Sequence, residues 1–240
     1  MHASCVLAAP APAAPCAHAF LRGGDNSSHG SAWKAWAQID APAGGSVTSL
    51  NSTWTVPDVP TNPSGGQVLF WWNGMEPEDT SAVLQPVLQW GPSAAGGGNY
   101  WAIASWYVSA AHGSRFSPLV RVNAGEAVQG SNTLLADGRT WAITAAVVGG
   151  REKPSTLTFA PVAGAWPTAY HVLEAYGVTT ECDFYPSAGA VNFTVTSLAF
   201  DSKPAPAPIN WQFKTQTAGC GEAASASDGG REVRIAFNTA

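Results

Sequence analysis

Turn-forming residues punctuate this chain so often that it has room for little except short strands. From Ser31 onward, runs rich in Val, Ile, Thr and aromatic residues are broken by Gly, Pro, Asn or Asp about every 8 to 12 residues, the spacing of a sandwich or barrel. With 18 prolines and 25 glycines, most windows that would hold a helical 3.6-residue period are cut before it repeats. The runs predict strands at Ala35–Ile39, Val47–Val56, Gln67–Trp72, Ala82–Trp90, Tyr100–Val108, Pro118–Val122, Ala127–Leu135, Thr140–Val148, Ser155–Pro161, Ala169–Val178, Ala190–Ala199, Ile209–Thr215 and Arg231–Phe237. Asp137-Gly138 between two of them is a hairpin signal. Lys203–Pro208 and Gly219–Gly230 read as surface loops. The expectation is an all-β fold, an antiparallel β-sandwich of two large packed sheets, in a single domain over 31–240. Residues 1–30 are set apart as a disordered leader or pro-segment remnant: they are Ala/Pro-rich, lack a basic start, and have only a short apolar run before the first proline.

Charge separates the function classes. Only 11% of residues are charged, less than half of the usual ~25%. The 11 tryptophans rule out reading that as disorder. Polarity comes from Ser, Thr, Asn and Gln, whose state does not change on acidification. A net charge of −5 with no Lys/Arg cluster argues against nucleic acid, and no apolar run reaches the ~18 to 20 residues that span a bilayer. No cysteine–histidine spacing suggests a metal site, and no cofactor is expected. Sequons at Asn26, Asn51 and Asn192 and four cysteines (Cys5, Cys16, Cys182, Cys220) point to a secreted, glycosylated monomer. Pairing Cys182 with Cys220 would tie a late loop to the C-terminal strands, which requires Cα atoms under ~7 Å apart. For Cys5 and Cys16, reduced thiols are as good a reading.

Alternation along the strands singles out a few residues. In Ala82–Trp90, Val83, Gln85, Val87 and Gln89 share one face, and two long amides there suggest a groove. In Ala169–Val178, Tyr170, Val172, Glu174 and Tyr176 share a face, and a carboxylate between tyrosines either meets solvent or sits in a pocket that raises its pKa. In Tyr100–Val108, Trp101, Ile103, Ser105 and Tyr107 share a face, a candidate aromatic wall.

Several short segments, in order, resemble the glutamic peptidases, or eqolisins. Trp72-Asn73-Gly74-Met75-Glu76 is similar to that family's W-x-G-x-D, and Ala82-Val83-Leu84-Gln85 to its A-I-L-Q. Tyr100 through Tyr107 resembles its Y-x-A-W-Y-E-W-Y strand, and Asn123-Ala124-Gly125-Glu126 its S-x-G-D turn. Val172-Leu173-Glu174 resembles its I-I-E, and Cys182-Asp183-Phe184-Tyr185-Pro186 its C-x-F-x-P. The resemblance implies a double-sheet sandwich and acid endopeptidase activity on polypeptides. Glu174 would then be the general base and Gln85 the oxyanion donor, with Trp72, Glu76, Gln89, Trp101, Ser105 and Tyr107 binding substrate. Gln85 and Glu174 are expected on adjacent strands of one sheet, their tips roughly 3–6 Å apart. Glu76 stands where the family pattern has an aspartate, and Ser105 and Gln89 stand where it has carboxylates; with those two acids gone, the Glu174 pKa is expected to be raised less than in relatives. Two rival readings stand beside this one. One is a carbohydrate-binding, lectin-like sandwich; the other is a glycoside hydrolase in which Glu76 partners Glu174 at about 5 to 10 Å.

Overall fold

The structure, a computed structural model, describes residues 32–161, 164–216 and 219–239. Cys5, Cys16, Asn26 and the whole of the expected leader segment lie outside them. Sixteen strands are numbered in chain order: β1 (Trp33–Asp40), β2 (Val47–Thr55), β3 (Val68–Glu76), β4 (Ala82–Ser93), β5 (Gly96–Ser109), β6 (Gly113–Phe116), β7 (Val120–Arg121), β8 (Ala127–Leu134), β9 (Trp141–Val147), β10 (Ser155–Phe159), β11 (Thr168–Tyr176), β12 (Ala190–Phe200), β13 (Lys203–Pro204), β14 (Gln212–Thr215), β15 (Ala223–Ser227) and β16 (Glu232–Ala236). Among the described residues there is no α-helix, only 3-10 turns at Cys182–Phe184 and Asp228–Gly230.

The strands form two antiparallel sheets of eight. The first has the order β14-β1-β11-β3-β4-β5-β6, with β7 also on β5; the second runs β10-β9-β8-β2-β12-β16-β15, with β13 on β12. The two sheets pack face to face over one apolar core. Leu69, Trp71 and Met75 of β3, Leu84, Leu88 and Trp90 of β4, and Ala169 and Leu173 of β11 meet Leu50, Trp54, Ile143, Phe193 and Val195 of the second sheet. An all-β sandwich of two large sheets is therefore what the turn spacing predicted.

Two bulges set which side chains face where. In β12 the inward residues run Val191, Phe193, Val195 and then Leu198, Phe200, a change of parity that a strict two-residue period forbids. The register shifts between Val195 and Ser197, and one extra residue restores the apolar set to the core. A second shift between Trp33 and Ala35 turns both Trp33 and Trp36 to the outer face of the first sheet.

Some expected elements change. The third run extends past Trp72 through Glu76, which brings Glu76 into the sheet. Pro118–Val122 shrinks to the two residues of β7. The Gly-rich stretch read as a loop contains β15, AASAS, paired along β16. Alanine and serine carry little strand propensity, so only the partner strand reveals it. The Asp137-Gly138 hairpin forms as expected, with Gly138 at φ 65°. Asp137 accepts from the Arg139 and Thr140 amides, and together with the Thr140 hydroxyl these hold its pKa down at about 2. Cys182 and Cys220 are disulfide-bonded, with Cα atoms 5.3 Å apart.

Between the sheets lies a buried polar layer that alternation alone does not announce. Asn73 donates to Leu50 O (3.1 Å) and Gly130 O (3.2 Å), and Asn132 donates to Asn73 O at 3.2 Å. His171 Nε2 and Ser52 Oγ stand 2.8 Å apart, both residues wholly buried. This is a structural contact: water and substrate have no path to it between packed sheets. Gly130 makes the layer possible, since a Cβ there would stand 2.1 Å from Asn73 Oδ1 and 2.7 Å from the Trp54 ring. Gly130→Ala is therefore expected to cost about 1 to 3 kcal/mol, read as a lower urea midpoint at unchanged m-value.

Candidate active site

The outer face of the first sheet is as dry as the core. Trp33 and Trp36 of β1, Val68, Phe70 and Trp72 of β3, Val83 and Val87 of β4, Ala104, Trp106 and Val108 of β5, and Tyr170 and Val172 of β11 form a second buried cluster there. Four polar side chains share that face by strand alternation: Glu76, Gln85, Gln89 and Glu174, which are 5%, 4%, 0% and 1% exposed.

Glu174 sits in the middle of β11, opposite Trp33 of β1 on one side and Phe70 of β3 on the other. Trp72 Nε1 donates to its Oε2 at 3.2 Å, and Tyr176 OH donates to its Oε1 at 2.6 Å. Burial pushes its pKa up to about 7, although both donors pull the other way. Desolvation thus outweighs the two donors and is the dominant influence on this carboxyl.

Gln85 lies on β4. Trp72 pairs with Val87 and Met75 with Leu84, so Gln85 faces Gly74, and Gly74 in turn pairs with Tyr170 of β11. Gln85 and Glu174 therefore share one sheet and one face, but their strands are not adjacent: β3 lies between them. The register sets their Cα atoms two strands and four residues apart, on the order of 15 Å, and no hydrogen bond joins them. The indole of Trp72 stands on the diagonal between them. The expected direct approach of the tips is replaced by two groups flanking a tryptophan. Gln85 Oε1 is buried without a donor, and among the described residues nothing binds its Nε2.

Glu76 ends β3 on the same face. Burial pushes its pKa up to about 8, opposed by a hydrogen bond with Tyr170, and its Oε2 has no partner. It stands six residues along β3 from Phe70, the register partner of Glu174, about 20 Å away. That is too far for the paired carboxyls of a glycosidase, which stand about 5 to 10 Å apart.

The other expected site residues are elsewhere. Trp101 and Tyr107 face the core between the sheets, where Trp101 packs on Trp71 and Trp90 and Tyr107 on Phe159. Ser105, on the same inward face, gives its hydroxyl to Ser155 O at 2.8 Å. Alternation grouped these three correctly but assigned them the wrong side of the sheet, since an aromatic stripe suits a core as well as a groove. A glutamate at Ser105 would be buried among the sheets and not beside Glu174. Gln89 does share the outer face, but its amide is consumed by the β4–β5 hairpin. Its Nε2 donates to Gly91 O (3.0 Å) and Gly96 O (3.1 Å), and its Oε1 accepts from Ser93 Oγ. Asn51 lies mid-strand, accepting from Ser131 Oγ at 2.6 Å, and Asn192 is exposed. Sequence reasoning missed Trp33, whose ring meets Trp72 at 4.9 Å and Tyr170 at 5.3 Å; the bulge after it hid its face.

A double-sheet β-sandwich carrying a buried carboxyl and an amide on the outer face of one sheet is a defined class of fold. No family model and no curated protein sequence matches this chain, but solved structures do. It is similar to Scytalido-glutamic peptidase bound to a peptide-based transition-state analogue, at 17% identity and a TM-score of 0.61, over 85% of this chain and 98% of that one. It is also similar to SCP-B, an eqolisin solved with the tripeptide Ala-Ile-His, at 18% identity and a TM-score of 0.59, again over 85% and 98%. The chain has the fold of the glutamic peptidases.

Two outcomes follow from the ionisable groups. Burial pushes the His171 pKa down to about 3, so the unfolded chain binds the extra proton and stability falls as pH drops below ~6.5. The two raised carboxyls act oppositely: their contribution is full below the unfolded value of 4.5 and is lost as pH rises toward 7 to 8. Between 4.5 and 6.5 two groups oppose one, so these three together place the stability maximum near pH 4.5, measurable as urea midpoints across pH 3 to 8. Tyr176→Phe removes a donor to the carboxylate, and a carbon-NMR titration of the Glu174 carboxyl is expected to move to higher pH.

Proposed function

We propose that the protein is an exported endopeptidase of the glutamic type, acting on polypeptides as a monomer, with residues 31–240 as its single catalytic domain. The observation that carries the reading is the placement of Glu174, held by Trp72 Nε1 and Tyr176 OH, on the same outer face as the uncommitted amide of Gln85. Ionised Glu174 takes a proton from a water molecule as the water oxygen bonds to the scissile carbonyl carbon. Gln85 Nε2 is the donor for the oxygen that becomes negative, once the opening of the groove brings the two side chains, about 15 Å apart at Cα, to either side of one peptide bond. When the C–N bond breaks, the protonated Glu174 gives that proton to the leaving amine. Trp72 lies between the two, orienting the carboxylate and presenting a ring surface to the substrate. Because the face is closed, a peptide enters only as the groove opens, and the water that Glu174 activates enters with it.

The base works only when ionised. With its pKa at about 7, kcat/KM should rise with pH and level off above about 7, a working range nearer neutral than the family resemblance implies. Glu174→Gln is expected to reduce turnover to background, because an amide cannot accept the proton. Gln85→Ala should lower kcat about 10²-fold, with KM changed less. Peptide hydrolysis by the two variants and the parent, assayed from pH 3 to 8 with and without pepstatin, is the test. Full activity in Glu174→Gln, or a kcat/KM that peaks near pH 3, would remove Glu174 from the role of base. The parent should resist pepstatin, since among the described residues the candidate site pairs a glutamate with a glutamine and holds no aspartate dyad for that inhibitor to fit.

A further inference from the structure

Glu76 and Gln85 present an unusual pair of atoms at one end of the outer face. Glu76 Oε2 and Gln85 Oε1 are both buried and both without a hydrogen-bond partner, and both are acceptors once Glu76 is ionised. Gln85 faces Gly74, which has no side chain, and Glu76 follows two residues later on the same face of β3. Across Gly74 on the other side stands Tyr170. A glutamine and a glutamate thus flank Gly74, whose missing side chain makes way for the Trp72 ring and Leu84 O (a Cβ there would stand 2.8 and 2.4 Å from them), with the apolar side chains of Val83 and Val108 next to them (Val83 pairs with Val108). Buried polar atoms of this kind are rarely left unmatched; among the described residues no hydrogen bond reaches either one, and the indole Nε1 of Trp106, opposite Gln85 on β5, is unpartnered as well.

We propose that this end of the groove is a specificity subsite for a substrate side chain carrying an ammonium or guanidinium group, a lysine or arginine, whose methylene stem lies on Val83 and Val108 and whose donors reach Glu76 Oε2 and Gln85 Oε1. An ammonium has three donors and no acceptor, the complement of two bare acceptors. Alternatives fit less well: a carboxylate side chain would face two acceptors, and an alkyl chain would leave both unmatched. The subsite rests on the peptidase reading and deepens it. Its polar neighbours are Tyr170 of β11, which shares a hydrogen bond with Glu76, and Asp40 of β1 beyond it. No cationic group among them competes for the carboxyl. Glu76 is neutral when the site is empty, its pKa pushed up to about 8 by burial, so a bound cation must drive off its proton to gain the ion pair. Gln85 joins the subsite to the chemistry, because a donor held at Oε1 also fixes the direction of Nε2.

The test has two independent arms. In the first, one peptide sequence is varied at each position around the cleaved bond among lysine, norleucine and glutamate, and kcat/KM is measured on the parent, Glu76→Gln and Glu76→Met. One position should favour lysine over norleucine by on the order of 10-fold. That ratio should collapse in both variants, whose melting temperatures report whether they fold. Equal rates for lysine and norleucine at every position of the parent would overturn the proposal without recourse to any variant. In the second arm, the Glu174→Gln protein binds the lysine and norleucine peptides in calorimetry at pH 6.5 in buffers of different ionisation enthalpy. The lysine peptide should release close to one proton and the norleucine peptide none. Release of no proton with lysine overturns the subsite even if peptides are cleaved. If nothing is cleaved by the parent, the peptidase reading falls, while proton-linked binding of the lysine peptide alone still supports the subsite.

Discussion

The central strands of the first sheet are buried on both faces, and most of what is distinctive about this molecule follows from that. Its inner face packs on the second sheet and its outer face is nearly as dry, so β3 is buried along its whole length, from Val68 to Glu76. A side chain on such a strand has no solvent to satisfy it. Every polar group placed there must find a partner, lose its charge, or remain unmatched. The three outcomes are all visible: Asn73 binds two carbonyls of the second sheet, His171 and Glu174 are pushed toward neutrality, and Gln85 keeps a bare oxygen.

That constraint sets stability against activity. A carboxyl is cheapest to bury when protonated, and the sheet holds Glu174 in that form through the acidic range. Its proposed task requires the charged form. Trp72 and Tyr176 settle the conflict partway: two donors favour the carboxylate, yet burial still wins and the pKa stays high. Catalytic bases tuned toward neutrality by a dry surrounding work on the same compromise. His171 applies the opposite pull from the inner face, where a charge has nowhere to go. The low content of carboxylates on the surface does not make this fold indifferent to acid, because a few buried groups dominate the proton balance.

The pattern of turns and alternations made the two-sheet architecture legible, and together with the order of the family-like segments it led to Gln85 and Glu174 on one sheet. What it could not give was strand order. A period of two says which residues share a face of their own strand, but it is silent on which strands are neighbours. The expectation that β4 and β11 touch therefore failed, and β3 was found between them. Sidedness was the second gap. Trp101, Ser105 and Tyr107 were rightly grouped, but an aromatic stripe reads alike from either side of a sheet buried on both. The faces of Trp33 and Trp36 were hidden for a different reason: a bulge shifts parity, and nothing in the residues around Lys34 marks it. For Gln89, the sequence showed the amide but not the Gly91 and Gly96 carbonyls that occupy it.

The intervening strand also changes how the proposed pair is to be understood. Two residues on neighbouring strands could share a single water directly. Two that flank β3 cannot meet without help, and the residue between them is Trp72, whose Nε1 already binds Glu174. Its large ring stands on the diagonal from Glu174 toward Gln85, so the carboxylate is held from one side. Gly74 has the reciprocal part: a side chain there would collide with Leu84 O at 2.4 Å and with the Trp72 ring at 2.8 Å. The W-x-G spacing is thus a steric pairing, in which a tryptophan reaches toward the carboxyl and a glycine two residues on makes room for its ring. On this argument the tryptophan and the glycine belong to one device, and the distance between acid and amide is what the device is built to span.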